Sequence, residues 1–83
     1  MPHDVHNHFS LREIIKRAER HVSEGERHIS TQKELIDELM SHGLDVSRYV
    51  AMLETFQVTQ RLHVQHLKTL RRELHEALWT KPG

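Results

Sequence analysis

Nine of the 83 residues are histidine, and their spacing is what could first do chemistry here. His63 and His66 stand three apart, so on a helix both rings fall on one side. If His21 reaches them across a hairpin seam, the three form a donor set suited to zinc or nickel. Glu24 or a water would complete the coordination. Imidazole titrates near pH 6.5, so protonating such a cluster would make the assembly acid-sensitive. The opening Met-Pro-His-Asp-Val-His-Asn-His adds three histidines within six positions, a composition suited to an exposed copper, nickel or zinc scavenger. The amino-terminal copper site built on a third-position histidine also needs a deprotonatable amide at position two, and Pro2 has none. Metal binding through histidine is therefore one functional reading. The plainer alternative is solvent-facing imidazoles and a tail that tolerates them.

Other chemistries have thinner support. His66-Leu67-Lys68-Thr69-Leu70 has a passing likeness to the helix of histidine-phosphotransfer domains and sensor-kinase dimerisation hairpins. It lacks the acidic or Asn residue after the histidine, the following proline and the lysine beyond. Rop-type hairpin dimers bind RNA from a helical face, and basic residues near the chain ends could contact phosphates. Against nucleic-acid binding, the sequence offers no exposed aromatic stacking platform, and Glu73 and Glu76 dilute the basic surface. No nucleophile–base pair, Gly-rich phosphate loop or paired acid is legible, so the expectation is a non-enzymatic protein.

Composition narrows the setting. The chain has no cysteine, which excludes disulfides and thiolate sites. Its longest apolar run, Tyr49 to Leu53, is far short of the roughly 20 residues of a membrane span. The first residues lack the positive region and apolar core of a signal peptide, and a cytoplasmic location is the default. Charged residues make up 29% and aromatics 5%, which suits a long, surface-rich helical protein of one domain.

Those side chains must be positioned by two helices. Ser41-His42-Gly43-Leu44-Asp45 is the one strong break: Gly43 can take the left-handed conformation that ends a helix, with Leu44 folding back onto the last turn. Asp45 can then cap the next helix. Ser10 with Glu13 reads as a capping box, and Phe9 with Ile14 as the matching hydrophobic staple. The expected organisation is a flexible His-rich tail over 1–9, a helix over about 11–42, a turn at 42–45 and a helix over about 46–79, making one domain over 10–80.

Apolar residues in the first helix step 11, 15, 18, 22, 25, 29, 32, 36, 39, alternating by four and three. Here Ile15, Val22, Ile29 and Ile36 are the a positions, and Leu11, Ala18, Gly25, Gln32 and Leu39 the d positions. In the second helix Val46, Leu53, Gln60, Leu67 and Leu74 are a, and Tyr49, Phe56, His63, Leu70 and Ala77 are d. Pairing residue i with 85−i sets every a against a d, as antiparallel packing requires: Leu11 with Leu74, Ile15 with Leu70, Ala18 with Leu67, Gly25 with Gln60. A glycine inside this seam costs about 1 kcal/mol against alanine, which suggests a close approach at Gly25.

Closing the hairpin separates charge. The open end gathers nine basic residues against Asp4, Glu13, Glu19, Glu73 and Glu76, while the loop end has three basic against seven acidic. The rod is therefore a dipole, and two rods lying head to tail would attract. Apolar groups also remain outside the seam: Ile14, Leu35 and Met52 at g, and Met40, Val50, Val64 and Leu78 at e. Burying each would contribute about 1.5–3 kcal/mol, comparable in sum with the stability of a small domain. The expected fold is thus all-α: a coiled-coil-like two-helix hairpin that dimerises into a four-helix bundle through these residues. Its expected role is a self-associating interaction or scaffold module, open to an unidentified protein partner, with no membrane contact.

The run Ala18 to Ile29, with its Glu24-Gly25-Glu26-Arg27 centre, continues through Gln32 to Ile36, His42 to Asp45, and Met52-Leu53-Glu54-Thr55-Phe56 to Leu62-His63. These segments resemble a family of short uncharacterised alphaproteobacterial proteins of rhizobial type, over roughly residues 18 to 74. The resemblance implies a bacterial origin and a helical hairpin. It brings no catalytic residues, and the histidine-rich start lies outside it.

Overall fold

In a computed structural model, which describes residues 3–79 and the side chains of 10–79, the chain is two helices and a turn. Helix α1 spans His3–Ser41 and α2 spans Ser47–Trp79. They lie antiparallel in a rod of 66 × 16 × 16 Å. Its radius of gyration is 18.9 Å, against about 12 Å for a compact chain of this length.

The turn is a full Schellman motif. Gly43 adopts φ 72°, which a residue with a Cβ takes only with strain. The Leu44 amide donates to the Leu39 carbonyl at 3.0 Å and the Gly43 amide to the Met40 carbonyl at 2.9 Å, satisfying two terminal carbonyls of α1. Ser41 Oγ also donates to the Glu38 carbonyl, at 2.7 Å. Leu44 itself stays 56% exposed, so the backbone part of the expected motif forms without its side chain being buried.

Asp45 starts α2. Its Oδ1 accepts from the Ser47 amide at 3.0 Å and from the Ser47 hydroxyl at 2.6 Å. The first helical bond runs from the Val50 amide to the Val46 carbonyl, so Val46 is the cap residue and Asp45 acts from one place further out. The hydroxyl bond, then the amide bond, hold the Asp45 carboxyl below its ordinary range.

The start of α1 corrects the sequence reading. The helix begins at His3, not near residue 11, and Ser10 lies inside it. Nothing between His3 and Ser10 is glycine or proline, and once a helix is nucleated each further residue adds a bond at little cost. A capping box is a preference worth about 1 kcal/mol, too weak to stop such a run. The side chain of Phe9, and with it the expected staple, lies outside the described side chains, as do residues 1, 2 and 80–83 as a whole.

The seam follows the expected register. Ile15, Ala18, Leu67 and Leu70 form the buried cluster, with Leu11, Val22 and Leu74 packed against it. In α1, every a and d position is buried or half-buried over 11–39, and no other residue of that stretch is. Only Ala77, in the last turn of α2, is an exposed d position. Gln32 is buried at the loop half of the seam and donates from Nε2 to the Tyr49 carbonyl at 2.9 Å. No helix among the described residues is long and apolar enough to cross a membrane.

Candidate functional site

The most distinctive local environment sits halfway along the rod. Gly25, a d residue of α1, leaves a gap in the seam, and Gln60 leans into it from α2. A Cβ on Gly25 would collide with the Gln60 amide and stand 2.8 Å from its Cδ. The amide is held by a bond from Nε2 to the Val22 carbonyl at 2.8 Å. The close approach expected at Gly25 is therefore made by a side chain of the other helix.

Gln60 fills the gap only in part. A cavity of about 110 Å³ remains, lined by His21, Glu24, Gly25 and His28 from α1 and by Phe56, Thr59, Gln60 and His63 from α2. Two buried polar atoms on this wall, Gln60 Oε1 and His63 Nδ1, have no hydrogen-bond partner in the chain. Such atoms are costly unless water, an ion or a partner supplies the missing bond.

The imidazoles regroup relative to the sequence expectation. His21 packs against His63, with ring centroids 5.5 Å apart, and His28 against Phe56 at 6.0 Å. His66 is exposed and does not complete a trio: among the described residues no three His, Asp or Glu side chains are placed to hold a metal ion. The cause is the seam itself. His63 is a d residue turned toward α1, whereas His66 is a g residue on the rim, so His21 reaches the first and not the second.

The seven residues expected at an interface divide between two sides of the hairpin. In an antiparallel pair, d and g residues of both helices share one side, and a and e residues share the other. Ile14, Leu35 and Met52 belong to the d/g side, with His21, His28, Thr59 and His66. Met40, Val50, Val64 and Leu78 belong to the a/e side, together with Arg12, Glu19, Glu26, Lys33 and Arg71. Arg71 bridges to Glu19 at 2.8 Å on that second side. Six of the seven are exposed, Ile14 at 42% and Met52 at 48% among them, and Val64 is half-buried. The d/g side has a single permanently charged g residue, Glu73. This asymmetry was present in the heptad positions and was missed by treating the apolar residues as one set.

Trp79 departs from the expected lack of exposed aromatics. It is 71% exposed at the open end, with its ring 5.9 Å from that of His75. It occupies an f position, opposite the seam, so the helix geometry itself turns it outward. One indole offers a single stacking contact, and among the described side chains the basic end has no second Phe, Tyr or Trp.

No family model matches the chain, and neither the curated proteins nor the solved structures include one of detectable similarity.

Proposed function

We propose that this chain is a non-enzymatic self-associating module: two hairpins pack through their d/g sides into a four-helix bundle that serves as an interaction or scaffold unit. The observation that carries this is the openness of the seam. Even the best-buried apolar residue, Ala18, keeps 5% of its surface, and Ile14, Leu35 and Met52 stand exposed along the seam's d/g edge. A two-helix layer has one face against its neighbour and nothing on the other. A second layer would close the seam and remove aliphatic surface at about 25 cal/mol per Å². The d/g side suits this better than the a/e side, since five charged residues would have to be desolvated there.

Sedimentation equilibrium on the full chain tests the reading. Two chains per particle are expected, with Leu35→Glu or Met52→Glu shifting the mass toward one chain and Met40→Glu leaving it paired. A single-chain mass at all concentrations up to about 100 µM would overturn it.

A further inference from the structure

We propose that the two hairpins lie head to tail, about a two-fold axis through the His21–His63 pair, and that the four imidazoles gathered there bind one divalent transition-metal ion of the zinc class. The inference rests on the self-association reading above and adds its geometry and its ligand. Three observations converge on the same level of the rod.

The first is charge. Among the described side chains, those of residues 10–79, the open end has eight basic (Arg12, Lys16 and Arg17 among them) against four acidic. The loop end has seven acidic against three basic. That leaves net +4 and −4, and the sign changes between Arg20 and Glu24 on α1 and between Glu54 and Arg61 on α2. Head-to-tail packing sets each end against its opposite. Parallel packing sets like against like, and like charges in contact are repulsive.

The second is position. His63 is the midpoint of α2 (Ser47–Trp79), and His21 lies one residue from the midpoint of α1 (His3–Ser41). A two-fold axis that exchanges the rod's ends must pass through its middle, so it meets this pair. An isologous contact on the d/g side then brings His21 and His63 of one chain against the same two residues of the other.

The third is the donor geometry. With Zn–N bonds of about 2.0–2.1 Å and a tetrahedral angle, two ligating rings have centroids about 5 Å apart. His21 and His63 stand at 5.5 Å, and His63 has a buried ring nitrogen with no partner. One chain supplies two ligands and no third among its described His, Asp and Glu residues, so the site is half-built. The symmetry mate supplies the other half, and imidazole donors select zinc, copper or nickel over calcium and magnesium. The neighbouring cavity at Gly25, about 110 Å³, gives the rings room to turn toward the ion.

Calorimetric titration of zinc into the metal-free full chain, paired with sedimentation, tests this. One ion per two chains is expected, with a dissociation constant below about 100 µM. His21→Ala, an exposed position, should weaken binding at least tenfold, and His63→Gln should do the same with helicity retained. His66→Ala and the triple variant His3→Ala, His6→Ala, His8→Ala should keep the half-equivalent ion. A dimer that takes up no zinc, or whose uptake ignores His21→Ala and His63→Gln, overturns the metal site alone. A single-chain mass with and without zinc overturns the pairing on which it depends.

Discussion

Gln60 lies directly over Gly25, its Nε2 tied to the Val22 carbonyl at 2.8 Å, so one residue's missing side chain is the other's place in the seam. The two act as a unit, and their substitutions are predicted to be non-additive. Alanine in place of a mid-helix glycine gains about 1 kcal/mol. In the native chain Gly25→Ala forces the amide off Val22, losing a neutral hydrogen bond of similar net worth, about 1 kcal/mol. Thermal or urea unfolding should find Gly25→Ala near neutral alone. Beside Gln60→Ala it should be stabilising by roughly 1 kcal/mol, a coupling that a double-mutant cycle isolates.

Gln32 offers the contrasting case. It is 7% exposed and bonds the Tyr49 carbonyl, which the α2 backbone already uses. Replacing it with leucine removes a buried amide without stranding its partner. Gln32→Leu is expected to raise stability by about 1 kcal/mol, as apolar replacements of buried polar groups often do. The companion expectation is looser pairing specificity, seen as larger species in sedimentation. A destabilised, uniformly dimeric Gln32→Leu would show that the amide contributes more than its hydrogen bond accounts for.

Asp45 makes the hairpin's turn sensitive to acid. Its carboxyl titrates below the ordinary range when folded, because Ser47 donates twice to the ionised form. A depressed carboxylate pKa contributes stability above the unfolded value, about 3.9 for aspartate, and loses it as the pH falls through the folded value. Unfolding followed by circular dichroism from pH 6 to pH 2 should therefore show a stability loss in the acid limb. Asp45→Ala should lower the melting temperature at pH 6 and flatten that part of the acid dependence. An unchanged slope would assign the acid sensitivity to other carboxylates.

The Glu19–Arg71 bridge joins the two helices, and its side chains are 46% and 56% exposed. Water screens such a pair, so its removal is predicted to cost less than about 1 kcal/mol and to cost less still in 0.5 M salt. Head-to-tail association, in contrast, draws on net charges of opposite sign along whole rod ends. Raising salt from 20 to 500 mM should weaken the dimer several-fold, with the melting temperature falling only as far as that lost pairing accounts for.

Much of the fold was legible because two strong signals agreed. The four–three stepping of Leu11, Ile15, Ala18 and Val22 marks a stripe, and Gly43 marks where the stripe must fold back on itself. Together they bring Ile15, Ala18, Leu67 and Leu70 into one cluster and set Gly25 against Gln60, as found. The helix start was misread because Ser10 and Glu13 carry a cap signature whose energy is small beside continued helix growth. The metal-ligand grouping was misread for a different reason. Heptad letters give the level of a residue along the rod but not how far its side chain reaches across the seam. His21 at g therefore meets His63 at d, and His66 remains on the rim. The division of the apolar residues into a charge-poor side and a charge-rich side follows from the same letters, once Glu19 and Arg71 are seen to meet.

The geometry of the pair can be measured in one experiment, because the chain has no cysteine to compete with an introduced label. Arg48→Cys, spin-labelled near the loop, should give an inter-chain distance of about 45 Å by dipolar spectroscopy, since residue 48 lies fifteen positions from His63 at about 1.5 Å each on either side of the axis. Hairpins packed in parallel would instead bring the two labels within roughly 25 Å, about two helix diameters. That shorter distance, or the absence of any dipolar signal at concentrations where the labelled chain stays folded, would contradict head-to-tail association.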